Sequence, residues 1–123
     1  TEELLIDFGP DGKKLVPVVT QDFNTKEVLI LSFVNKEAFD ETRRSRYATY
    51  WSRSRNELWK KGLTSGDLLR IEEIRINCEQ NSLLFLVTSE GKGACHARNE
   101  EGMPFSSCYY RRITDSDKLE RVL

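Results

Sequence analysis

The chain has 123 residues, 19 of them Lys or Arg and 20 Asp or Glu, for a net charge of -1. A length of this order suits one domain with a real core, and a 38% hydrophobic share beside 32% charged residues excludes a disordered or fibrous chain. No apolar run approaches the ~20 residues of a membrane span, and near-neutrality argues against bulk binding to nucleic acid.

The acidic start, Thr1-Glu2-Glu3, predicts no secretory or mitochondrial leader. Residues 14–20 form a short apolar run interrupted by Pro17, which predicts a strand at a sheet edge or with an irregular start. Residues 21–26 contain Asp22, Asn24 and Thr25 and predict a turn. Residues 28–34 are rich in β-branched and aromatic side chains and predict a buried strand. Asn35 is placed to cap a helix running through Ser45, with Ala38, Phe39 and Thr42 on one side. Residues 47–53 alternate as a strand does. Residues 68–78 and 82–88 predict two paired strands, with the turn at 79–81. Residues 91–107 are polar and aperiodic, a kind of segment that is usually functional or mobile. Thr114 followed by Asp117 predicts a short C-terminal helix. With no repeat or linker, the expectation is one strand-rich α+β domain over residues 1–123, with one or two short helices.

The scarce residues carry the chemistry. Cys78, Cys95 and Cys108 cannot all pair within one chain, which points to a reduced, cytoplasmic setting. Their spacing is not that of a zinc ribbon, and one reading is three unrelated cysteines, at least one simply buried. However, Cys95 and Cys108 flank the polar segment, which a metal clip would order. By alternation Cys78 shares the face of Ile74 and Ile76. Three thiolates on tetrahedral zinc leave one position open for water, the mark of a catalytic site. If His96 filled that position, the site would be closed and structural. Adjacent side chains of an extended chain point opposite ways, which favours three thiolates plus water, with His96 nearby for proton transfer. Asn77, Glu79 and Asn81 recur with period two and could hold a hard cation such as magnesium, although a polar turn between two strands is the simpler account and only one of the three carries a charge.

Charge is unevenly spread. Residues 1–40 carry 8 acids and 4 bases, residues 41–76 carry 5 and 9, and residues 77–123 carry 7 and 6. The basic middle holds Tyr50-Trp51-Ser52-Arg53-Ser54-Arg55 and, further on, Thr64-Ser65-Gly66. Arginine forks, hydroxyls and a glycine that admits backbone amides make a phosphate cradle, though not a P-loop. The two tryptophans could stack on a base or pack in the core.

These motifs, with Leu58-Trp59-Lys60-Lys61-Gly62, Gly93-Ala94-Cys95-His96 and Ser107-Cys108-Tyr109-Tyr110-Arg111, resemble those of the phosphoribosyl-AMP cyclohydrolases of histidine biosynthesis. The resemblance runs in order from about Leu15 to Arg111. It implies an enzyme that hydrolyses the N1–C6 bond of the adenine ring of N1-(5-phosphoribosyl)-AMP. It further implies a cytoplasmic, intertwined homodimer, with zinc on Cys78, Cys95 and Cys108 drawn from both subunits. His96 would move protons, and Arg53, Arg55, Lys61, Thr64, Ser65 and Gly66 would face the substrate. Where the family shows Asp-Cys-Asp-x-Asp, whose aspartates bind magnesium, this chain reads Asn77-Cys78-Glu79-Gln80-Asn81. The stretch between Cys95 and Cys108 is longer than in the family, and Asp67 follows Thr-Ser-Gly where His or Asn is usual. These departures leave a second reading open, a non-catalytic or altered paralogue binding a purine nucleotide around a structural zinc. A third reading, a module for single-stranded nucleic acid, would need a wider positive field.

Overall fold

A computed structural model describes residues 2–123, and its main sheet takes four strands. They are β1 (Val16–Asp22), β2 (Val28–Val34), β5 (Leu69–Ile76) and β6 (Leu83–Ser89), in the order β2-β1-β6-β5. Between β2 and β5 the chain forms α1 (Lys36–Ser45), β3 (Thr49–Ser52) and β4 (Glu57–Lys60), and it ends in β7 (Arg111–Ile113) and β8 (Leu119–Arg121). β1 and β6 are parallel, which requires the long connection that α1, β3, β4 and β5 provide. The other pairs, β1–β2, β5–β6, β3–β4 and β7–β8, are antiparallel.

The pattern of β5 explains its irregular pairing with β6. Its apolar residues fall at Leu69 and Ile71, then at Ile74 and Ile76, so strict alternation breaks once. The register against β6 shifts between Ile71 and Glu73, and this extra residue keeps all four apolar side chains facing inward. β1 lies inside the sheet rather than at an edge, and Pro17 is accommodated because the β6 ladder starts only at Val18. Conversely, β2 is an edge strand and not fully buried, since Leu31 keeps 49% of its surface exposed.

The helix is capped as its sequence predicts. The Asn35 side chain accepts from Ala38 N at 2.9 Å, and Ala38, Phe39 and Thr42 are the buried positions. Thr42 Oγ1 donates to a backbone carbonyl and accepts from Thr49 N at 3.0 Å, fastening α1 to β3. Beneath them Tyr50 is buried against Phe85, and its hydroxyl meets Thr20 Oγ1 at 2.6 Å. The expected C-terminal helix is absent. Thr114 and Asp117 instead close the β7–β8 turn, with Thr114 Oγ1 accepting from Lys118 N at 3.0 Å and Asp117 at φ 61°. Among the described residues no helix is long and apolar enough to cross a membrane.

Candidate active site

The β3–β4 hairpin carries the first half of the site. Tyr50 lies opposite Trp59 and Ser52 opposite Glu57, and the connecting loop presents Arg53 and Arg55. The Arg53 guanidinium sits 4.2 Å from the centre of the Phe33 ring. Arg55 turns the other way, donating to Ser52 Oγ from its backbone N and its Nε at 3.3 and 3.4 Å. Two adjoining clefts result, of about 490 and 630 Å³, with Ser52, Ser54 and Trp59 on the ridge between them. The first holds Arg53, and the second is lined by Arg55, Thr64, Ser65 and His96.

Glycines let the remaining loops close on this hairpin. Gly62 and Gly66 both have φ +83°, and Gly66 N donates to Gly62 O at 2.7 Å, which forms the turn that presents Thr64 and Ser65. Asp67 then reaches the next loop, where its Oδ1 accepts from Lys92 N at 2.8 Å. A Cβ on Gly91 would stand 2.0 Å from that same oxygen, and one on Gly93 2.5 Å from Phe105 O. The sequence marked Asp67 only as a departure after Thr-Ser-Gly and Gly93 only as part of a motif; that Asp67 packs against Gly91 and Lys92 was not foreseen. Two glycines flanking one residue are a sign of close backbone approach that could have revealed it.

The polar stretch after Cys95 is laced by its own hydrogen bonds. Cys95 N donates to Phe105 O and Phe105 N to Ala97 O, Arg98 bridges to Pro104, and Asn99 Oδ1 accepts from Glu101 N and Met103 N. Phe105 stacks on Tyr110 at 4.0 Å. Cys108 N donates to Leu29 O at 2.8 Å, which ties the far end to β2.

This lacing brings two of the three thiols together. Cys95 is buried, Cys108 half-buried, and all three cysteines are free. Burial first, and then neighbouring Cys95, push the Cys108 thiol up to about 11, against the opposing charge of Lys61. Ala97 N donates to Cys95 Sγ at 3.3 Å. Two abutting sulfurs, one buried and one half-buried, are a soft donor pair of the kind a divalent cation binds, so they fit zinc. Cys78 stands apart on the turn after β5, exposed and beside Glu2, Glu3 and Gln80. Among the described residues of one chain, no three His, Cys, Asp or Glu side chains gather around a common metal position.

His96 lies at the cleft mouth, its ring 5.6 Å from that of Trp59 and inclined by 27°. Desolvation, then the charges of Lys61 and Arg55, hold its pKa below the usual 6.5. Lys61 does not line the cleft. It is 2% exposed behind Trp59, with its ammonium 5.8 Å from the ring centre. Burial lowers its pKa, and Cys108, Asp67 and Cys95 counter that shift.

The magnesium set does not fit. β5 stops at Ile76, so period two does not run through 77–81. Asn77 Oδ1 accepts from the backbone N–H of Asn81 and Ser82, both at 2.9 Å, and Asn77 Nδ2 donates to Asn81 Oδ1 at 2.6 Å. Only Glu79 remains as a carboxylate there.

A model of the family described as phosphoribosyl-AMP cyclohydrolase matches residues 30–110. The phosphoribosyl-AMP cyclohydrolase of Archaeoglobus fulgidus is 50% identical over 84% of this chain and 89% of its own length. That of Methanospirillum hungatei is 46% identical over 96% of this chain and 85% of its own. The histidine biosynthesis bifunctional protein of Aquifex aeolicus is 38% identical over 98% of this chain and 54% of its own. With a family match across most of its length and relatives this similar, the chain belongs to the phosphoribosyl-AMP cyclohydrolase family.

Proposed function

We propose that this chain hydrolyses the N1–C6 bond of the adenine ring of N1-(5-phosphoribosyl)-AMP, in the cytoplasmic synthesis of histidine, around a zinc ion. The observation that carries the reading is the meeting of the Cys95–Cys108 thiol pair, the His96–Trp59 stack and the basic cleft of Arg55, Thr64 and Ser65. Cys95 and Cys108 would hold zinc together with Cys78 of a second copy, because Cys78 of the same chain lies elsewhere. That arrangement makes the active unit a homodimer. When bound, zinc supplies the Lewis acidity that makes water nucleophilic near neutral pH.

The chain's own residues do the rest. The substrate carries two phosphoribosyl groups, and the two clefts each offer one guanidinium, Arg53 and Arg55. Thr64 and Ser65 add hydroxyl donors beside Arg55. The purine then lies across the ridge at Trp59, with C6 toward the thiol pair. Water adds to C6, the C6–N1 bond breaks, C6 becomes a carboxamide carbon, and one proton passes to N1. His96 takes the water proton and delivers it to N1, a transfer that needs an imidazole within hydrogen-bond reach. Lys61, buried beside the thiols, counters their negative charge rather than binding phosphate.

Incubating the protein with this substrate and following ultraviolet absorbance reads ring opening directly. The wild type is expected to turn over with about one zinc per active site, and Cys95→Ala to lose both zinc and turnover. Full activity after exhaustive removal of zinc would overturn the mechanism. Zinc-loaded protein that leaves the substrate ring intact would favour a nucleotide-binding paralogue.

A further inference from the structure

We propose that the Cys78 turn is locked by an amide clasp that takes the place of a divalent cation, so that this chain needs no magnesium there. The inference rests on the local hydrogen bonds and stands apart from the reaction assigned above. Two backbone N–H groups, of Asn81 and Ser82, converge on one side-chain atom of Asn77. Only an amide oxygen can accept both, which fixes the orientation of Asn77. Its NH2 group must then face Asn81, whose carbonyl oxygen receives it at 2.6 Å. Both side-chain oxygens are therefore engaged inside the protein. Backbone bonds complete the ring, Gln80 N to Asn77 O at 3.0 Å and Asn77 N to Ser82 O at 3.2 Å.

A second fastening comes from Gln80, held at φ 54°. Its Oε1 accepts from Leu5 N at 2.7 Å, and its Nε2 donates to Glu3 O at 3.3 Å. The turn thereby straps down the N-terminal segment, some 75 residues away in sequence. Magnesium demands several hard oxygen ligands in near-octahedral array. Within residues 77–81 the clasp leaves one carboxylate free, the exposed Glu79, while Glu2 and Glu3 line the pocket on the Cys78 side. A neutral amide pair fixes the Cys78 backbone without a counter-ion, whereas carboxylates at 77 and 81 would repel at this separation and require one.

The test is thermal unfolding and calorimetric titration of zinc-loaded protein with magnesium chloride alone. Wild type is expected to give no binding heat and no shift in melting temperature at millimolar magnesium. Asn81→Ala should melt several degrees lower and gain nothing from magnesium. The double variant N77D/N81D should melt lower still in the absence of magnesium and recover as the ion is added, since a ligand that binds only the folded state stabilises it. Magnesium binding by wild type that Asn81→Ala abolishes would overturn the proposal. So would an Asn81→Ala melting temperature equal to wild type, or a folded double variant indifferent to magnesium. If the double variant does not fold even with magnesium, the wild-type titration and Asn81→Ala decide the matter by the same criteria.

Discussion

Replacing Gly91 by Ala tests whether the loops of the site are packed as tightly as their glycines indicate. A Cβ there would lie 2.0 Å from Asp67 Oδ1 and 2.4 Å from Asp67 Cα, whereas ordinary contact begins at 3.4 Å. The loops must then part by roughly 1.0–1.4 Å, an overpacking that costs about 1–3 kcal/mol. Asp67 also loses its bond to Lys92 N, a charge-assisted contact worth about 1.5–3 kcal/mol. Some of the second cost is recovered because the carboxylate swings into water, so about 2 kcal/mol is the expected loss. At roughly 3–5 °C per kcal/mol for a domain of this size, the melting temperature should fall by about 6–10 °C. The displaced loop carries Cys95 and His96, and a shift of about 1 Å in a catalytic group can cost on the order of 100-fold in rate. Calorimetry and turnover of the purified variant read the two effects separately. Gly66→Ala is the control, since nothing lies within 4 Å of its Cβ and only backbone strain opposes it. Gly91→Ala that melts within a degree or two of wild type and keeps its turnover would refute the close packing of these loops.

Two further outcomes follow from the same geometry. His96→Gln should lower turnover by about 10²–10⁴ while zinc content stays at the wild-type level. Loss of zinc together with activity would make His96 a ligand instead. Glu41 is held down to about 2 from 4.5 by hydrogen bonds from Arg44 and then Lys60, at a partly exposed position. Its folded value is the depressed one, so its contribution is full above about 4.5 and fades as pH falls toward about 2. Glu41→Gln should therefore lose less melting temperature than wild type between those pH values. Parallel acid profiles of the two proteins would contradict that assignment.

Local signals in the sequence revealed local structure. The apolar run of β2, the Asn35 cap and the β5–β6 hairpin all depend on neighbours within a few residues. β4 escaped because its four residues are half-buried or exposed on both faces, which leaves no alternation to read. Thr114 and Asp117 misled because side-chain oxygens that cap helices also close turns, and the hairpin of β7 and β8 decided between the two. For the site, residue type was legible and proximity was not. Trp59 offered a ring to stack, but that its partner is His96 depends on how residues 62–67 and 91–95 pack. The depth of Lys61 was equally hidden, since its basic neighbours suggested a solvent-facing charge. The polar segment between Cys95 and Cys108 lacked periodicity because its order comes from irregular backbone pairing and one aromatic stack.

The most direct test of the proposed two-copy site mixes two variants expected to be inactive, Cys78→Ala and Cys95→Ala, under conditions that exchange subunits. Each homodimer lacks a thiol in both of its sites. A mixed dimer has one site with Cys95 and Cys108 from one copy and Cys78 from the other, all intact. In an equal mixture half the dimers are mixed, so turnover of N1-(5-phosphoribosyl)-AMP should return to about one quarter of wild type. Mixtures that exchange subunits yet stay inactive would contradict a site built from two copies around these three cysteines.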